Sequence, residues 1–182
     1  MPTTHSTLHR LHHHRAWSNH QLLQSAAALS PDQLRQRFDI GQGSVWQSLL
    51  HMYAAEYIWL ETILGNDDAL CPGDVRGQLA GNQLGPDGIQ SLDELRSRWS
   101  ALEARWSEYL ANLSADSLDE QIQRRTTVVS GNQPFICTRS DALLHVCLHA
   151  HYTLAQVINM LRHLGIQNLP PRMLTQLVWE ER

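Results

Sequence analysis

Four long stretches of this sequence repeat their apolar side chains at helical spacing, and residues that start or stop helices bound each stretch. The first stretch runs from about Thr7 to Leu29. It stops at Ser30-Pro31 because proline cannot continue the hydrogen-bond ladder of a helix. Ser30 can also cap a short helical turn through Leu34. The pattern predicts a mostly helical chain.

The second stretch begins after Ser44, a residue type that caps helix N-termini, and ends near Leu64. The pair Gly65-Asn66 then provides a C-terminal stop. Residues 66–90 contain repeated glycines and few large apolar groups. We expect them to form a long surface loop, with one short helical turn inside it as an open alternative.

The third stretch opens with a capping box at Ser91 and Glu94 and continues to about Leu113. In this motif the Ser hydroxyl accepts a bond from the Glu amide while the Glu side chain reaches back. Between residues 121 and 137 the pattern changes. Residues 126–129, a turn at 130–132 and then residues 135–136 predict a small hairpin or an extended crossover.

The fourth stretch has a cap signal in Thr138 with Asp141 and runs to Gly165, and Pro170-Pro171 leaves room for one more short helix ending at Trp179. Four amphipathic helices with one long connection and one extended crossover predict an all-α four-helix bundle. We expect a single domain over residues 1–182. Several helices are apolar on more than one face, which favours a homodimer that covers them.

Charge and composition exclude several classes of function. The formal net charge is −4, with no long run of one sign, so a basic surface for nucleic acid is missing. No apolar stretch reaches the roughly 18–20 residues that span a bilayer, and residues 1–15 lack the apolar middle of a signal peptide. Three scattered cysteines, Cys71, Cys137 and Cys147, indicate free thiols. We expect a cytoplasmic protein that binds neither nucleic acid nor membrane.

Histidines in the second and fourth stretches are the candidates for chemistry. His145 and His149 are four residues apart, which places both on one face of a helix, as a pair of imidazoles for one metal ion requires. His151 falls on the far side of that helix and is expected at the surface or in an interface. His51 lies in the apolar second stretch, where a buried imidazole needs a hydrogen bond or a metal. Hydrogen-bonded core histidines remain the alternative for His51, His145 and His149.

Three motifs together resemble the DinB family, in the family's order and over about residues 7–166. Residues 15–23 read Arg-Ala-Trp-Ser-Asn-His-Gln-Leu-Leu, similar to the family's opening, and residues 49–60 read Leu-Leu-His-Met-Tyr-Ala-Ala-Glu-Tyr-Ile-Trp-Leu, similar to its second helix. The fourth family helix carries HxxxHxxxH and then Leu-Arg-x-Leu-Gly. Residues 145–165 resemble it, with His145, His149 and Thr153 at the spaced positions.

The resemblance implies a DinB-like bundle of the up-down-down-up type with a three-histidine site for a divalent metal, usually zinc or nickel. His51 and His149 match two of the three ligands. The third family position falls on Thr153, a poor ligand for these metals. His145 could supply the third ligand instead. Asn19, His20 or Glu56 could also complete the shell, or the metal site is lost.

If the site works, the resemblance implies hydrolase-like or thiol-transferase-like chemistry on a small-molecule substrate or thiol. Glu56 or Tyr152 would then orient water or substrate. The rival interpretation is a non-catalytic bundle that binds a small molecule or a partner. A second group of histidines lies at the N-terminus, and we interpret it as a solvated helix start; its members are His5, His9, His12, His13 and His14.

Overall fold

The computed structural model describes residues 4–125 and 133–182, and these are mostly helical. Within them the chain forms six α-helices and one two-stranded sheet, with a short 3-10 helix at Ala115–Ser117. The elements in chain order are α1 Thr4–Ala26, α2 Pro31–Arg35, α3 Val45–Ile63, α4 Leu92–Ala111, β1 Gln121–Arg125, β2 Pro134–Thr138, α5 Arg139–His163 and α6 Leu174–Glu180. None of the described helices is both long and apolar enough to cross a membrane.

The four long helices lie where the apolar periodicity predicts them. Helix α1 ends three residues earlier than expected, at Ala26, because the chain tightens into successive turns through Leu29 before Pro31 begins α2. Residues 66–90 contain no helix or strand, which confirms the predicted loop. The chain groups into two compact units, Leu50–Val146 and the remainder, so the expectation of a single domain stays a prediction.

All four predicted N-caps form in the structure. In each, a side-chain hydroxyl accepts a hydrogen bond from the backbone N–H three residues further on, which satisfies an amide that the helix itself cannot pair. The four pairs are Ser30 with Gln33 at 3.2 Å, Ser44 with Gln47 at 3.1 Å, Ser91 with Glu94 at 3.2 Å and Thr138 with Asp141 at 3.1 Å.

The capping box of α4 differs from the expected form in one contact. The Glu94 carboxylate accepts from the backbone N–H of Gln90 at 3.0 Å, one residue before the predicted partner Ser91. Glu94 also accepts a hydrogen bond from Arg98 at 2.6 Å, one helical turn along.

The C-terminal ends of α3 and α5 are followed by glycines. Gly65 and Gly165 adopt φ values of 100° and 78°, the left-handed conformation that stops a helix after its last turn.

Of the two predicted forms of this segment, a small hairpin or an extended crossover, the structure has two antiparallel strands. Strand β1 pairs with β2 from Gln121 opposite Thr138 to Arg125 opposite Pro134. The first strand therefore begins earlier than the Thr126–Val129 segment that the sequence indicated. That segment and the turn at Ser130-Gly131-Asn132 lie outside the described residues.

Each compact unit has its own apolar core. In the unit Leu50–Val146, α4 buries one stripe of large side chains, namely Leu95, Trp99, Leu102, Trp106 and Leu110. In the other unit, α1 buries Leu8 and Leu22, and α5 buries Leu154, Val157 and Leu161. The three cysteines are free thiols, as expected.

Candidate metal site

His51 is half-buried on α3, and a backbone carbonyl fixes its ring. Its Nδ1 lies 2.9 Å from the carbonyl oxygen of Ala80. A carbonyl oxygen can only accept, so Nδ1 carries the proton and donates it. A neutral imidazole with its proton on Nδ1 has on Nε2 the lone pair that can bind a metal ion. Most metal-ligating histidines donate the N–H of the other ring nitrogen in this way.

The loop before α4 makes this contact possible because it approaches α3 without side chains in the way. Gly81 has φ +83°, and a Cβ placed on it would stand 2.5 Å from the backbone nitrogen of His51. Only glycine fits at that distance. The carbonyl of Ala80 is thereby brought within hydrogen-bond range of the imidazole.

The histidines of α5 lie in different surroundings. His145 is exposed, but its ring packs 5.0 Å from the ring of Trp59, and loss of water on that side lowers the pKa of His145 below its ordinary value. His149 is half-buried one turn further along, and Thr153 is buried, with 2% of its surface exposed. His151 is exposed, as the helical geometry predicted, with its ring 6.1 Å from that of His14.

Within residues 4–125 and 133–182, no three His, Cys, Asp or Glu side chains are grouped so that they could hold a metal ion. The assignment of His51, His149 and His145 as ligands therefore stays a prediction. Two imidazoles bind a metal ion more weakly than the three protein ligands of an ordinary catalytic zinc site.

The other candidates for the third ligand have different environments. Glu56 is buried on α3, and its carboxylate accepts from the indole N–H of Trp99 at 3.0 Å. Asn19 is buried on α1, whereas His20 beside it is exposed and bonded to Gln24 at 2.8 Å. Tyr152, proposed above to orient substrate, exposes 67% of its surface.

The interpretation of the N-terminal histidines as a solvated helix start is wrong for His12, which is only 1% exposed. His12 belongs to a stripe along α1 that alternates steps of four and three residues. It is fully buried although its middle is polar, and it comprises Leu8, His12, Arg15, Asn19, Leu22 and Ala26. The sequence contained this information, because the helical spacing that joins the apolar residues at the two ends of the stripe also places the polar residues between them on the buried face.

Buried polar groups also occur on the other helices of the same unit. Ser48 of α3 is fully buried, and its hydroxyl has no hydrogen-bond partner among the described residues. Together with Thr153 and the polar part of the α1 stripe, Ser48 adds to the polar side chains buried in this unit.

Comparison with known proteins gives a consistent assignment of family and fold. The model of the DinB family matches residues 1–182. The solved structure of YfiT from Bacillus subtilis, described as a probable metal-dependent hydrolase with an unusual four-helix bundle topology, is similar with a TM-score of 0.65. That match covers 87% of this chain and 87% of YfiT at 16% sequence identity, so it shows the fold alone. No curated protein matches the sequence.

Proposed function

Because the chain belongs to the DinB family, we propose that it is a metal-dependent enzyme with hydrolase-like or thiol-transferase-like chemistry. Its substrate would be a small molecule or a low-molecular-weight thiol. His51 and His149 are the proposed ligands, and the observation that carries the proposal is the bond from His51 Nδ1 to the Ala80 carbonyl. This bond supports the proposal because it assigns the lone pair of the ring to Nε2, the form in which an imidazole can bind a metal.

The residues present fit a zinc or nickel ion only in part. Two imidazoles match the family positions, but the third position holds the buried hydroxyl of Thr153, which is a poor ligand for these metals. His145 is the alternative third donor that the sequence offers. A bound divalent metal would supply an activated water or thiolate at neutral pH. We therefore propose an affinity well below that of a three-histidine site.

The test is a thermal melt with and without zinc or nickel, on protein purified without nickel resin and analysed for metal content. A ligand that binds only the folded state stabilises it by about 2.7 kcal/mol at a concentration of 100 times its Kd. For a chain of this length each kcal/mol raises the Tm by about 2–4 °C. We expect a rise in Tm that both His51→Ala and His149→Ala abolish.

His151→Ala is the matched control, because it removes an exposed imidazole from the same helix. The His151→Ala variant keeps the N-terminal histidines. The Nε2 atoms of His5 and His9 lie 3.3 Å apart, so this pair can bind metal adventitiously. A metal-induced rise that survives in the His51 and His149 variants would come from such a surface site and would contradict the proposal.

A second candidate function has a specific observation in its favour. Thr153 at the third family position, with no three-donor group among the described residues, favours a non-catalytic bundle that binds a small molecule or partner. This alternative predicts no change in Tm at saturating zinc or nickel and no bound metal after purification.

A further inference from the structure

We propose that the loop of residues 71–90, here called the His51 loop, is a positioning device. Through the buried carboxylate of Asp74 it holds the imidazole of His51 as the Nδ1–H tautomer. The consequence for metal binding rests on the function proposed above, but the tautomer itself does not. All of the residues involved belong to the compact unit Leu50–Val146.

Asp74 organises the part of the loop that touches α3. It is 8% exposed, and its two carboxylate oxygens accept three hydrogen bonds. The donors are the backbone N–H of Gly81 at 2.7 Å, the backbone N–H of Gln83 at 3.0 Å and the side-chain amide of Gln83 at 2.7 Å. Charge-assisted bonds of this kind are stronger than neutral ones, so Asp74 fixes the backbone on the C-terminal side of Ala80.

Gln83 stabilises the same loop through its side-chain amide. Its amide nitrogen donates to the carbonyl of Pro72 at 3.0 Å, and its amide oxygen accepts from the backbone N–H of Ile89 at 2.8 Å. Gln83 is 7% exposed and has a positive φ of 49°, a costly conformation for a residue with a side chain. A buried carboxylate and a strained glutamine thus hold a loop that otherwise lacks regular structure.

The peptide group between Ala80 and Gly81 connects the ordered loop to the imidazole of His51. Its N–H, on Gly81, donates to Asp74, while its carbonyl, on Ala80, accepts from His51 Nδ1. One peptide plane therefore connects Asp74 to His51, and the close approach of Gly81 to the α3 backbone sets its distance. An imidazole in water favours the Nε2–H tautomer, so the loop selects the opposite form.

The experiment is long-range ¹H–¹⁵N NMR on metal-free, ¹⁵N-labelled protein, at a pH well above the ordinary histidine pKa of about 6.5. The His51 signals are identified by their loss in His51→Gln. We expect a protonated Nδ1 and an unprotonated Nε2. A wild-type spectrum with the proton on Nε2 would overturn the inference.

Two variants test the role of the loop. Asp74→Asn replaces an acceptor oxygen with a donor, and Gly81→Ala inserts a Cβ where only 2.5 Å is available. Each is expected to shift His51 towards the Nε2–H tautomer while circular dichroism shows that the helices remain. Asp68→Asn is the matched control, since Asp68 is an exposed carboxylate of the preceding segment that pairs with Arg76. If both loop variants fold and keep the wild-type tautomer, the positioning role is wrong.

Zinc affinity is a second measurement that separates the positioning role from the function proposed above. Loss of a group that orients a ligand typically lowers metal affinity by 10–100-fold, and we expect about tenfold for Asp74→Asn with zinc. If the tautomer changes as expected but wild type binds no zinc, the function proposed above fails and the positioning role stands. If zinc binds wild type and Asp74→Asn equally, with the tautomer unchanged, the positioning role fails alone.

Discussion

A single guanidinium, that of Arg139, holds several elements of the unit Leu50–Val146 together, and its removal should be among the most damaging changes outside the apolar core. Arg139 is the first residue of α5. Its side chain donates to the carbonyls of Ile63 and Ser117 at 3.2 and 3.1 Å, to the hydroxyl of Tyr109 at 3.1 Å and to the carboxylate of Glu120 at 2.6 Å. It thus connects the end of α3, helix α4 and the segment before β1.

The magnitude follows from how exposed each partner is. The Arg139 side chain is 17% exposed, whereas that of Glu120 is 58% exposed, so the ion pair itself contributes at most about 1 kcal/mol. The three other acceptors are better shielded, and each loses a bond worth about 1 kcal/mol or more when the guanidinium disappears. We expect Arg139→Ala to lower the free energy of unfolding by about 3–4 kcal/mol.

Arg139→Lys should lie between wild type and Arg139→Ala. A lysine keeps the charge, but its three donors radiate from one nitrogen and cannot reach four acceptors on different elements. The assay is equilibrium unfolding in urea, read as a shift of the midpoint with an unchanged m-value. The control is Glu120→Gln, which should cost less than about 1 kcal/mol.

Two results would refute this reasoning. The first is an Arg139→Ala variant as mild as a surface substitution, which would mean that water replaces the guanidinium at all three acceptors. Alternatively, Glu120→Gln could cost as much as Arg139→Ala, which would place the stabilisation in the exposed ion pair.

Four further outcomes are expected. Ser91→Ala should destabilise the protein by about 1 kcal/mol in urea, because α4 loses its N-cap. Burial lowers the pKa of His14, so NMR titration should place it below that of an exposed histidine, and its contribution to stability should be lost as pH falls below about 6.5. Burial raises the pKa of Tyr53 to about 12, so stability should fall as pH rises above about 10, where an unfolded tyrosine ionises; a Tyr53→Phe melt at alkaline pH checks this. Thr153→His should increase zinc affinity in a calorimetric titration, at a cost of about 1–3 kcal/mol for overpacking a buried position.

The sequence determined the helices and their ends because these depend on neighbours three or four residues apart. The hydroxyls of Ser30, Ser44, Ser91 and Thr138 meet the amides that their spacing predicts. The family motifs are equally local, so membership of the DinB family could be recognised from residues on three helices.

Only the tertiary structure decided which polar groups are buried and what holds them. His12 and His13 are adjacent in the sequence, yet packing buries the first and leaves the second exposed. The acceptor for His51 is a backbone carbonyl 29 residues away in the chain, and Arg139 bonds the Ile63 carbonyl from a distance of 76 residues. A backbone carbonyl carries no sequence signature, so the proton position on His51 could be assigned only once the loop was seen against α3.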